Sequence, residues 1–126
     1  MRVWAEIAAR ATLHVLHVCD YVQPYDSLEP FVDYPGQIVS APLTLTGRRM
    51  SPREVSELFG RPFLGGMERL GALSTGPRDA VVEEAHAVLD GGTEPMILGA
   101  DCTLAADAGW ANIRAAAEVA HGRRAG

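Results

Sequence analysis

The stretch PRDAVVEEAHAVLDGGTEPMILG, residues 77–99, decides the fold. Pro77 suits the opening of a helix, where its missing N–H costs nothing. Val81, Val82, Ala85, Val88 and Leu89 then recur at the spacing of a single helical stripe. Gly91-Gly92 stops that helix. Met96-Ile97-Leu98, set between Pro95 and Gly99, is a short and fully apolar strand. A helix feeding such a strand is the second half of a βαβ unit.

The same plan returns on either side. Ser51-Pro52-Arg53-Glu54 is a capping box, with Val55, Leu58 and Phe59 as the buried face and Gly60 as the stop. Pro62 to Gly65 is the strand that follows. Upstream, Gln37 to Ala41 is a strand closed by Pro42, and Leu13 to Val18 is another. Val3 to Ala11 reads as the end of a helix, and Ser27 to Val32 as one helical turn or two. At the far end a helix is expected from about Gly109 to Ala120, with Trp110, Ile113, Ala117 and Ala120 turned inward. Short apolar strands alternating with amphipathic helices predict an α/β fold of four consecutive β/α units. Four units make half of a (β/α)8 barrel, whose full form takes ~250 residues, or alternatively a small open sheet.

Size and composition narrow the function. The 126 residues suit a single domain, and 48% apolar content is enough for a core. A net charge of -5 argues against a nucleic-acid binder, and Arg48-Arg49 and Arg123-Arg124 are too short to form a basic patch. No apolar run approaches the ~18 residues of a membrane span. The opening segment carries Arg2, Glu6 and Arg10, so it lacks the hydrophobic region of a signal peptide. A cytoplasmic location is the default expectation, and there Cys19 and Cys102 would be reduced thiols.

Alternate residues of a strand share a face, so Leu13, Val15, His17 and Cys19 point the same way. His17 and Cys19 come last, at the carboxyl end, where parallel barrels build their active sites. Cys102 lies just past the carboxyl end of the last strand. If both strands open onto one rim, an imidazole and two thiolates converge there. Zinc accepts this donor set, and three protein ligands with one open position is the catalytic rather than the structural pattern. A substrate thiol in that position would be held as thiolate, and methyl transfer to sulfur is the natural reaction. His-x-Cys alone occurs often by chance, and free cysteine is commonly just a buried side chain. Placement of both cysteines at strand ends is what favours a site. His14 has the opposite parity, His86 lies in a helix and His121 near the terminus, so these three read as structural or solvated. Glu68, after the third strand, and Asp101 are candidates for a fourth or supporting catalytic group.

Several segments resemble the uroporphyrinogen decarboxylase superfamily. Leu16-His17-Val18-Cys19-Asp20 resembles its His-x-Cys-Gly strand, with Asp20 in place of the glycine. Residues 60–71, GRPFLGGMERLG, resemble its later strand and glycine-containing turn. Residues 97–104, ILGADCTL, with Asp107 and Asn112-Ile113-Arg114, resemble its closing strand, loop and helix. The likeness covers nearly the whole chain, in order. It implies one partial domain over residues 1–126, equal to the carboxy-terminal half of a TIM barrel with the amino-terminal half missing. In the superfamily's methyltransferase branch, His-x-Cys and a distant Cys bind zinc, matching His17, Cys19 and Cys102, and methyl passes from a corrinoid protein to a thiol such as coenzyme M. The decarboxylase branch, acting in porphyrin biosynthesis, needs no metal and tends to carry Gly-His-Gly in the last loop. That loop here, Gly99-Ala100-Asp101-Cys102, has no histidine. A non-catalytic subunit or remnant is the third reading. Half a barrel has open strand edges, so the expected partner is a second copy or a separate amino-terminal half.

Overall fold

A computed structural model describes Glu6, Arg10 and residues 12–125. The helix expected at Val3 to Ala11 lies outside the described residues, apart from Glu6 and Arg10. The principal sheet contains β1 (Val15–His17), β2 (Ile38–Ser40), β5 (Phe63–Met67) and β6 (Met96–Ala100). It runs in the order β1-β2-β5-β6 with every pairing parallel. All four carboxyl ends therefore lie on one rim. Beside it sits a two-stranded antiparallel hairpin, β3 (Thr44–Leu45) with β4 (Arg48–Arg49), which the sequence pattern does not announce.

Helices join the strands. The connection from β1 to β2 carries only a single 3-10 turn, Glu29–Phe31, in place of an α-helix. The other three strands are each followed by helix: α1 (Pro52–Phe59) after β2, α2 (Ala72–Thr75) and α3 (Arg78–Asp90) after β5, and α4 (Trp110–Ala125) after β6. Arg61 takes over the task of a helix at the first connection. Its guanidinium donates to the carbonyls of Gly36 at 2.9 Å and Val32 at 2.7 Å, tying that loop to the end of α1.

Local chemistry explains the elements that match. At α1, Ser51 Oγ accepts from the Glu54 amide at 3.1 Å, while Glu54 accepts from the Ser51 amide at 2.7 Å. Two donors of the first turn are thereby satisfied. Gly60 closes the helix in the left-handed region at φ 64°. β5 runs two residues beyond its expected end at Gly65. Gly66 has φ 101°, and a Cβ there would lie 2.2 Å from a methyl of Val88. The bare backbone thus lets α3 settle directly on the strand.

The core forms two clusters. Val39, Phe63, Leu28, Val55 and Phe59 fill the first, between sheet and α1. Met67, Val81, Ala85 and Val88 fill the second with Ala115 and Ala116 of α4. Of the inward face expected for α4, Ile113 packs against this second cluster and Ala120 is half-buried, but Trp110 and Ala117 are corrected. Trp110 is 81% exposed and Ala117 is also exposed, whereas Ala115 and Ala116 are buried. An alanine-rich helix can approach α3 closely through either side, so its few large residues do not dictate which face is covered.

Candidate metal centre

β1 ends on His17, and Cys19 follows two residues later with the same parity. Cys102 follows β6, at the opposite margin of the sheet. In a flat sheet, strands three places apart would lie ~14 Å from each other. The two Sγ atoms are nevertheless only 3.4 Å apart. The segments after β1 and β6 therefore fold inward across the strand ends. His17 joins them, and one donor atom from each of the three residues falls within 4.8 Å of the others. His17 and Cys19 are exposed and Cys102 is half-buried, so the cluster is open to an exchangeable ligand on one side.

The donor set suits a metal ion. Tetrahedral zinc with bonds of about 2.3 Å to sulfur places two thiolates about 3.8 Å apart. The observed 3.4 Å is shorter by only a few tenths, so an ion could enter with a small spreading of the thiols. Both cysteines are free. Between the thiols themselves, the hydrogen bond from Cys102 raises the Cys19 pKa above its ordinary value, partly opposed by the Tyr21 backbone. Crowding by a neighbouring thiol that would carry the same charge disfavours ionising Cys19. A cation between the sulfurs inverts that preference. His17, Cys19 and Cys102 could hold a metal.

Neighbouring groups fix these side chains. His17 Nδ1 lies 3.2 Å from Ser40 Oγ, on the adjacent strand and in direct register. The Tyr25 hydroxyl donates to the Cys19 carbonyl at 2.7 Å, and its ring meets Phe31 edge-on with centroids 5.0 Å apart. Together they anchor the loop that presents Cys19.

Glu68 and Asp101 lie beside the cluster but are not members of it. Glu68 accepts from Arg49 at 3.0 Å in an exposed ion pair. Asp101 Oδ1 accepts the Arg69 amide at 2.8 Å, and its own amide donates to the Met67 carbonyl at 2.8 Å. Asp101 therefore stitches the loop after β5 to the loop after β6, next to Cys102. With Asp20, Thr44, Arg49 and Arg69, these two acids line a cleft of about 300 Å³ on the same rim. The Arg69 guanidinium sits 4.8 Å from the Tyr21 ring centre.

Other sequence candidates separate out. The ring nitrogens of His14 are buried with no hydrogen-bond partner among the described residues, and His14 is not a member of the cluster. His86 contacts Arg123 on the helical surface, and His121 borders an apolar groove between β6 and α4. Ser40, Tyr25 and Arg49 are the site neighbours that sequence reasoning missed. The only available signal was for Ser40, a hydroxyl inside the apolar run Ile38 to Leu43. Arg49 reads as solvated surface until the hairpin carries it toward Glu68.

Among the described residues, no helix is long and apolar enough to cross a membrane. No protein-family description and no curated protein matches the chain. A solved structure does: a methyltransferase from Methanosarcina mazei, with a TM-score of 0.73 and 22% identity. The match covers 94% of this chain and 34% of that one, so this chain spans about a third of the neighbour's length. The two share a fold over that region.

Proposed function

We propose that this chain is a partial barrel of the uroporphyrinogen decarboxylase superfamily that binds zinc through His17, Cys19 and Cys102 and serves methyl transfer to a thiol. The observation that carries the reading is the meeting of one imidazole and two thiols, the latter 83 residues apart along the chain, within bonding reach of a single ion. The structural neighbour is itself a methyltransferase, which points the same way. Zinc held by these three donors would leave a fourth position for a substrate thiol and keep it ionised at neutral pH.

The chain's own residues supply the rest. The anchored loop after β1 holds the Cys19 sulfur toward Cys102. The cleft bordered by Glu68 and Asp101 gives the thiol substrate a polar approach to the same rim. Glu68, held by Arg49, is the proposed acid or base at that entrance. Asp101 keeps the Cys102 loop in place and is proposed to act from there. The methyl donor in this reading is a corrinoid protein.

The half-barrel reading is supported by four parallel strands with a common carboxyl rim and by their bare margins. Among the described residues, β1 and β6 have no neighbour on their outer sides. Leu13 at 62%, Val15 at 42% and Ile97 at 47% exposure lie at or beside those margins. Such edges pair with further strands. The proposed partner is a separate amino-terminal half or a second copy. Size-exclusion chromatography across a dilution series checks this, and an unchanging monomer profile counts against it.

The decarboxylase alternative needs no metal and leaves the three clustered donors without a task. Metal analysis of the purified chain separates the readings. Near-stoichiometric zinc in the wild type and its loss in Cys102→Ser are expected, together with methyl transfer from methylcobalamin to a small thiol once the partner is added. A wild-type chain purified without zinc, and unable to take it up, removes the methyltransferase reading.

A further inference from the structure

Ser40 is the buried polar residue among the described ones, at 3% exposure. Its neighbours in sequence, Val39 and Ala41, are buried and apolar. A hydroxyl in such a place costs free energy unless it is hydrogen-bonded. Its partner is the His17 imidazole, at 3.2 Å from Nδ1. The backbone of Ser40 is fixed as well, its carbonyl accepting the Val18 amide at 2.8 Å. One residue of β2 thus grips β1 on both sides of the His17–Val18 peptide, immediately before Cys19.

We infer that Ser40 is a positioning residue for the metal ligand His17, an inference that rests on the zinc reading above. A ring nitrogen that binds a metal must present a lone pair, so the other nitrogen carries the proton. With Nδ1–H donating to Ser40 Oγ, Nε2 is the nitrogen free to coordinate. The serine fixes the tautomer and the plane of the ring, and the β1–β2 register fixes the serine. Partners of this kind commonly change metal affinity by about 10–100-fold when removed.

Zinc affinity, measured by competition with a chromophoric chelator, tests this in wild type, Ser40→Ala and Ser40→Thr. Ser40→Ala is expected to bind zinc at least about 10-fold more weakly, whereas Ser40→Thr, which keeps the hydroxyl, stays near wild type. Nitrogen-15 spectra of His17 add a readout that packing alone does not move. The wild type should show a protonated Nδ1 in the zinc form, and Ser40→Ala should lose that hydrogen bond. Equal zinc affinity in wild type and Ser40→Ala overturns the inference while leaving the zinc reading intact. A wild type that binds no zinc overturns both. Loss in Ser40→Thr equal to that in Ser40→Ala, with a folded circular-dichroism spectrum, also overturns it.

Discussion

Zinc should stabilise this chain by an amount that follows from mass action. A ligand that binds only the folded form adds about 2.7 kcal/mol when its free concentration is 100 times its dissociation constant. The unfolded chain offers no comparable site, because Cys19 and Cys102 are 83 residues apart. Unfolding entropy near the midpoint is about 2.1 cal/mol/K per residue, so 126 residues give roughly 0.26 kcal/mol/K. The ratio predicts a rise in melting temperature of about 10 °C. Differential scanning fluorimetry with buffered free zinc, against the same protein in a strong chelator, measures it. Cys102→Ser should lose most of the shift, since two donors remain of three. A wild-type melting temperature indifferent to the chelator would refute the reasoning, and so would a Cys102→Ser variant that gains as much as the wild type. The second result would place the bound ion elsewhere on the chain.

Mild oxidation of the zinc-free protein by a small disulfide should join Cys19 to Cys102, since their sulfurs are 3.4 Å apart. Each thiol gives up a hydrogen to the reduced oxidant. Intact mass and thiol titration follow the change, and two titratable thiols persisting after treatment would contradict the proximity. Gly66→Ala should destabilise the fold by roughly 1–3 kcal/mol through overpacking against Val88; an unchanged urea midpoint would be the contrary outcome. Ser51→Ala removes the cap of α1 and should cost about 1 kcal/mol, read from the same urea curves, with no change in zinc affinity.

Much of this architecture is legible in the sequence where local chemistry and tertiary packing agree. The capping box and Gly60 fix both ends of α1, and the stripe ending at Gly91-Gly92 identifies α3. Strand parity puts His17 and Cys19 on one face, and the position of Cys102 after the last strand suggests the meeting. Periodicity fails where elements are very short: β3 and β4 have two residues each, too few to carry a pattern. It fails again at α4, because small residues pack on any face, so Trp110 points to solvent. The β1–β2 connection escapes for another reason, since the distant Arg61 does the work that a helical stripe would have revealed. Ser40 is visible only as an oddity until its partner across the strand is known.

The order of strands in space follows their order along the chain, and this bears on how the protein assembles. Each strand finds its sheet neighbour after a modest excursion, as with His17 and Ser40, 23 residues apart. Parallel pairings of this sort must close a loop before the contact rewards it, so they form slowly. The approach of Cys19 to Cys102 spans 83 residues and draws the segments after β1 and β6 inward over the strand ends. The meeting of the two sulfurs therefore depends on all the strand pairings between them at once.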